Sequence, residues 1–269
     1  MPKSYSVRQP GLAFASGVLV GSLGGLIGLG GAEFRLPLLL TLFDLYPHRA
    51  VRFNLLVSFI TLAFAALTRL QFGIELHAHF DIVLSMIGGG IVAAWIGARL
   101  LSAVSANRLI AIISGLLLLV AALLLAEVLL HDAALPKLPD EPLLRIITGA
   151  LAGLLIGAVS SFLGVAGGEF IIPMLIFVFG VDIKTAGTLS LVISLPVVAI
   201  GVFRHRWSGH YRSTDVLVYL VAPMGLGSII GAVAGGLLSN YVANHALKTG
   251  LAAILAVSAI KLWGHRSSG

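Results

Sequence analysis

Stretches of about 20 residues almost free of charge follow one another along this chain, and a helix of about that length crosses the hydrocarbon core of a bilayer. Eight such stretches lie at roughly 11–28, 51–70, 81–103, 108–130, 143–163, 185–203, 214–238 and 243–263. Charged residues make up only 10% of the chain and hydrophobic residues 58%, where a soluble domain is about 25% charged. Mean hydropathy is +1.06. So few charges cannot coat a water-facing surface, so the fold expected is an all-α polytopic membrane protein with the lipid bilayer as its surroundings. The net charge of +6 sits in short loops and reads as membrane topology, not as a nucleic-acid footprint. The chain has no cysteine, which excludes a disulfide framework, a thiolate metal site and a Cys nucleophile. The basic N-terminus lacks a small-residue cleavage site before the first span, so that span is expected to be retained.

Two apolar pieces, at about 33–43 and 169–180, are half the length of a span. Each follows a glycine-rich motif: GLGGAEFRLP from Gly28 to Pro37, and GVAGGEFIIP from Gly164 to Pro173. A shift of 136 aligns Gly17 with Gly153, Gly21 with Gly157, Gly28 with Gly164, Gly31 with Gly167, Glu33 with Glu169, Pro37 with Pro173 and Ser58 with Ser194. RLLSAVSANR at 99–108 is echoed by GLLSNYVANH at 236–245. The reading is an N-terminal transmembrane repeat at 1–130, a polar Pro-containing linker at 131–142 and a C-terminal repeat at 143–269. Duplicated halves of this kind mark secondary transporters.

Lys and Arg in the loops indicate orientation. If each short piece returns the chain, Lys3, Arg8, Arg49, Arg52, Arg99, Arg108, Arg204, Arg206, Arg212, Lys261 and Arg266 share one side. Arg69, Lys137, Arg145, Lys184 and Lys248 share the other. That split of 11 against 5 implies cytoplasmic termini. It also implies five segments per half, an odd number that makes the repeats pseudo-symmetric and inverted.

Gly28, Gly30 and Gly31, and then Gly164, Gly167 and Gly168, interrupt helix continuity, because glycine is poor in helix interiors and permissive at positive φ. Each motif therefore reads as helix, unwound Gly-rich turn and short second helix, with Pro37 or Pro173 expected near the first turn of that second helix. Broken backbone survives at membrane depth only within protein or beside a wet cavity. The second helix starts with free N–H groups and a positive dipole end, which together make an anion site. Two such motifs would set two helix N-termini around one centre. The substrate-binding candidates are Gly28, Gly30, Gly31, Ala32, Gly164, Gly167 and Gly168. Asn54, Ser58, Ser190 and Ser194 join them, spaced by four on matching helix faces. Interhelical packing is the alternative for those four, and it is the preferred reading for Gly17, Gly21, Gly153 and Gly157.

Glu33 and Glu169 read either as coupling carboxylates, taking up a proton or Na⁺, or as caps of their short helices. Arg35, matched by Ile171, reads as a partner of Glu33 or as an attractor of the anion. His77, His79 and Asp81 lack a convergent set, so no metal is expected, nor any other cofactor. HRWSGHYR at 205–212 reads as an interfacial anchor. The chain has no Walker A, HExxH or Gly-x-Ser-x-Gly sequence, which argues against an ATP-driven pump, a protease or a lipase, so no enzyme is expected.

At these residues the sequence resembles the sulfite exporter TauE/SafE family of membrane permeases. The resemblance covers essentially the whole chain. Its loose pattern is G-x-G-G-G followed by apolar residues and Pro; each copy here departs by one Gly-to-Ala change, at Ala32 and Ala166. Glu33 and Glu169 stand where apolar residues are commoner in the family. The resemblance implies transport of small anions, often sulfur oxyanions or organosulfonates, across a bacterial inner membrane. A passive anion channel and a non-transporting accessory protein are the rival readings.

Overall fold

In the computed structural model the described residues are 9–71, 76–100, 139, 141–163, 166–209, 211 and 214–243, with isolated helical positions between 108 and 125 and between 246 and 260. Among them every regular element is a helix. Helix α1 is Pro10–Ile27, α2 Ala32–Thr41 and α3 Pro47–Leu70. A 3₁₀ turn at Leu76–His79 leads into α4, Phe80–Leu100. Helix α5 is Pro142–Leu163, α6 Gly168–Phe177, α7 Ile183–Trp207 and α8 Thr214–Leu238. A π-helical turn at Leu217–Val221 interrupts α8. The expected spans at 108–130 and 243–263 and the linker at 131–142 lie largely outside the described residues.

Helices α1, α3, α7 and α8 are each long and apolar enough to cross a membrane. At 1.5 Å per residue, the 24 residues of α3 span roughly 36 Å. The ten residues of α2 reach roughly 15 Å, about half the hydrocarbon thickness. Proline at the first turn of α1 and α3 costs no hydrogen bond and fixes φ for helix entry. The side chains are distributed as a bilayer requires. Leu155 and Leu226 are 71% and 60% exposed, while Glu33, Arg35, Asn54, Ser58, Glu169, Ser190, Ser194 and Ser228 are buried.

Glycine faces set the helix pairing. Along α1, Gly17, Gly21 and Gly25 lie against the backbone of Met224, Ser228 and Ala232 in α8. In α5, Gly153 and Gly157 lie against Met86 and Gly90 of α4. Ascending numbers meet ascending numbers, so α1 and α8 run parallel, as do α4 and α5. Without a hydrophobic drive between helices in lipid, such close backbone approach supplies the packing energy. Helices α3 and α7 run antiparallel: Arg69 at the end of α3 donates to the Lys184 carbonyl at the start of α7, at 3.4 Å. At the other end, the Tyr211 hydroxyl just beyond α7 donates to the Arg52 carbonyl at 3.1 Å.

Element bounds recur at the sequence shift. Helix α6 starts 136 residues after α2 and ends 136 after it. Helix α5 ends 136 residues after α1, and α7 starts 136 after α3.

Candidate functional site

Helix α1 closes on a left-handed glycine. Gly28 has φ 96°, and the N–H groups of Gly28 and Leu29 both donate to the Gly24 carbonyl. Gly30 and Gly31 are also left-handed, and Gly31 serves as N-cap of α2 with φ 75°. Gly31 abuts Val20, well back along α1. The chain has therefore turned back beside α1 at this point. The second motif does the same: Gly167, φ 83°, caps α6 and abuts Ile156 and Ser160 of α5, the residues 136 positions after Val20 and Gly24. An L side chain at such φ costs about 1–2 kcal/mol, which is why both turns carry glycine. Gly164 lies outside the described residues.

The two motifs meet. A carbon added at Gly168 would lie 3.0 Å from the Leu29 α-carbon, and one at Gly30 would lie 3.6 Å from Ala166 Cβ. Helices α2 and α6 thus begin side by side, each capped by a glycine that has no side chain to bond the first N–H groups. Asn54 Nδ2 donates to the carbonyl of Ala32, the first residue of α2, at 2.8 Å. Ser190, its match in α7, faces Gly168, the first residue of α6.

Pro37 and Pro173 are each the sixth residue of their helix and stand inside it, not near the first turn as expected. The helices begin at Ala32 and Gly168, one residue before the apolar pieces read from the sequence. Each proline lacks the N–H that would bond the carbonyl four residues back; those carbonyls belong to Glu33 and Glu169.

Arg35 is fully buried. Its Nη1 donates to Ser58 Oγ at 2.9 Å and Asn54 Oδ1 at 3.4 Å. Its Nη2 donates to Thr61 Oγ1 at 3.0 Å and Ser228 Oγ at 3.4 Å. These neutral groups, rather than Glu33, hold the guanidinium. Neither carboxylate oxygen of Glu33 has a hydrogen-bond partner, nor has Glu169 Oε2. Glu33 interacts electrostatically with Arg35, and Glu169 with Glu33.

Where Arg35 sits in the first half, the second has Ile171 beside a cavity. That cavity, about 10 Å³, is bordered by Ile171, Ser194, Val197, Gly90 and Ser160. It is about the size of one water. Ser190 Oγ and Ser194 Oγ, the counterparts of the Asn54 and Ser58 acceptors, have no hydrogen-bond partner.

The sequence reading missed Thr61 and Ser228. Thr61 follows Ser58 by three and Asn54 by seven, one helix face, so the spacing carried that signal. Ser228 reaches the site only through the pairing of α8 with α1. In the 205–212 stretch Trp207 is 80% exposed, and just before it the Arg204 guanidinium lies 4.4 Å from the ring centre of Trp95. Among the described residues no group of His, Asp or Glu is arranged to hold a metal.

The chain is similar to a "Probable membrane transporter protein YdhB" of Bacillus subtilis, 26% identical over 91% of this chain and 96% of the relative. It is also similar to a "Probable membrane transporter protein" of Xylella fastidiosa, 28% identical over 86% of this chain and 84% of the relative. No solved structure matches significantly. The family description "Sulfite exporter TauE/SafE" matches residues 13–262, nearly the whole sequence, and the chain belongs to that family.

Proposed function

We propose that this protein is a secondary transporter of a small anion, a sulfur oxyanion or an organosulfonate, working by alternating access at the two Gly-rich helix breaks. The meeting of two glycine-capped helix N-termini at the buried centre carries this reading. Each offers backbone N–H groups and a positive dipole end to a negative ligand. Bare glycine backbone admits close approach. Arg35 adds a fixed positive charge, because a guanidinium does not deprotonate in proteins. The hydroxyls of Ser190 and Ser194 supply donors that have no protein partner.

The halves act as inverted repeats. Support comes from the recurrence of element bounds at 136 and from the antiparallel course of the matched helices α3 and α7. Rocking one half against the other would open the centre alternately to each side. The membrane is the bacterial plasma membrane, with the Arg52 and Tyr211 end cytoplasmic by the positive-inside rule.

The test is thermal stabilisation of the purified protein by sulfite, sulfate, thiosulfate, sulfoacetate, methanesulfonate, taurine, acetate and phosphate. A ligand of the native state raises the melting temperature with concentration, by about 2.7 kcal/mol of stability at a hundred times Kd. A selective shift by a sulfur anion, lost in Arg35→Met, is the expected result. No shift by any anion well above millimolar sinks the reading. A channel, unlike a transporter, would give unsaturable flux without counterflow in liposomes.

A further inference from the structure

The acid of the glycine motif is written twice and the base once. Glu33 and Glu169 stand at matched positions, each the residue after or second residue of its short helix start, and both are buried. Arg35 has Ile171 as its match. The geometry points to one proton held by the Glu33–Glu169 pair at rest, and to a second proton that enters and leaves with the anion. The movement of that second proton rests on the anion-permease reading; the resting proton does not.

Charge balance gives the argument. Arg35 stays ionised, and one ionised carboxylate balances it. A second ionised carboxylate beside the first would be a buried charge without a counter-ion, the costliest arrangement available, so it is held as the acid. Two interacting carboxyls share that proton as a pair, without a fixed owner. A carboxylic O–H needs an acceptor, and the carbonyls of Glu33 and Glu169, which Pro37 and Pro173 deprive of their helical donors, lie on the same turns. Ser190 Oγ, buried against Gly168, is a further unpartnered group beside the pair.

Among the described residues the other buried cation at the motifs is Arg69, whose Nη1 faces Gly28 and Gly187 and whose charge is met by Asp182, so it leaves the count at the pair unchanged. Helix α1 has no titratable side chain. Helix α3 has His48, Arg49 and Arg52 in its first turns and Arg69 in its last. Helix α5 has only Arg145, which is paired with Asp81 of α4 at 2.8 Å; Arg99 stands at the far end of α4. Helix α7 has Lys184 at its start and Arg204, His205 and Arg206 at its end. Helix α8 has Asp215 and Tyr219 near its start. Of all these helices, only α2 sets a cation against the pair, at Arg35.

When a monoanion settles beside Arg35 it takes over as counter-charge. The carboxylate it replaces then forms an O–H bond with a proton from water on the open side. On the other side that bond breaks and the anion leaves. Loading adds one anion and one proton, so the cycle is electroneutral.

The probe is labelled methanesulfonate, which keeps one negative charge across the pH range used, with the full chain in phosphatidylcholine liposomes. Each pH unit of gradient should accumulate it about tenfold, and neither a Na⁺ gradient nor an imposed voltage should drive it. Glu33→Gln or Glu169→Gln alone should keep this coupling, because one carboxylate still balances Arg35. The double substitution should exchange methanesulfonate without responding to pH. Infrared spectra of the detergent-purified wild type at neutral pH should show a protonated-carboxyl band, lost in either single variant. Absence of that band in the wild type overturns the resting proton whatever the flux does. Accumulation that follows Na⁺ or voltage overturns the coupling. A band with no flux of any anion supports the resting proton and refutes the permease reading on which its movement rests.

Discussion

Gly31 and Gly167 hold equivalent left-handed positions, yet they should not be equally replaceable by alanine. Both substitutions incur the penalty of an L residue at positive φ, about 1–2 kcal/mol. Their surroundings differ. A methyl at Gly31 would lie 2.7 Å from Val20 Cγ1 and 2.8 Å from the Val20 carbonyl oxygen, and that carbonyl belongs to the α1 backbone and cannot turn aside. Overpacking of this kind adds about 1–3 kcal/mol. A methyl at Gly167 would lie 2.9 Å from Ile156 Cγ2 and no closer than 3.5 Å to Ser160. A side-chain rotation relieves that contact. Gly31→Ala should therefore lose about 2–5 kcal/mol and Gly167→Ala about 1–2. At about 2–4 °C per kcal/mol, the melting temperature should drop roughly 10 °C in the first and roughly 4 °C in the second. Gly88→Ala in α4, where nothing lies within 4 Å of the added carbon, is the control and should melt near the wild type. The assay is thermal denaturation in detergent. Equal losses at both positions, a larger loss at Gly167, or no loss at Gly31 relative to Gly88 would refute the account of the turn.

Two further perturbations probe the interior and one helix end. Arg35→Met should abolish anion stabilisation of the melt while shifting the melting temperature itself only modestly. The Ser58 and Thr61 hydroxyls still donate to the Asn54 and Val57 carbonyls, and the cost of burying a guanidinium disappears along with its hydrogen bonds. Asp182 caps α7, accepting from the N–H groups of Lys184 and Thr185 at 3.0 and 3.1 Å, so Asp182→Ala should cost about 0.5–2 kcal/mol. Burial pushes the Asp182 carboxyl up, but those hydrogen bonds outweigh it and hold the group below its ordinary value. The contribution of its charge is therefore complete above the unfolded carboxyl's range and is lost as pH falls through the lowered value. Melting curves should show the gap between wild type and variant narrowing below about pH 4.

The starts of α2 and α6 were legible in the sequence because glycine runs, unlike leucine runs, carry a conformational meaning, and because the 136 shift required both copies to obey it. Pro37 was expected near the first turn of a piece beginning near residue 33; the helix begins one residue earlier, at Ala32 after left-handed Gly31, and Pro37 stands in its second turn. Arg35 was visible as an intramembrane charge without a repeat partner, and the obvious ion pair with Glu33 was the natural reading. Two residues apart on a helix, the side chains diverge, and the guanidinium instead reaches the Asn54, Ser58 and Thr61 face of α3. Ser228 could not have been read, because its place depends on which helix α8 packs against. That choice rests on glycine faces shared by several spans of the chain.

The departure of the two halves from one another is the more informative half of the duplication. Four acceptors hold Arg35: Asn54, Ser58, Thr61 and Ser228. At the matched wall of the second half stand Ser160, Ser194, Val197 and Gly90, the last two without any side-chain oxygen, while Ser190 lies against Gly168. A guanidinium at position 171 would lack the acceptors that Thr61 and Ser228 give Arg35, and a buried charge poorly satisfied is strongly destabilising. Isoleucine at 171 and the small cavity beside it thus fit a wall built from Val197 and Gly90. Glu33 and Glu169 did not diverge with them. A carboxyl can become neutral by taking a proton where a guanidinium cannot lose one, so a wall that would not satisfy a base at position 171 can still hold the acid at 169.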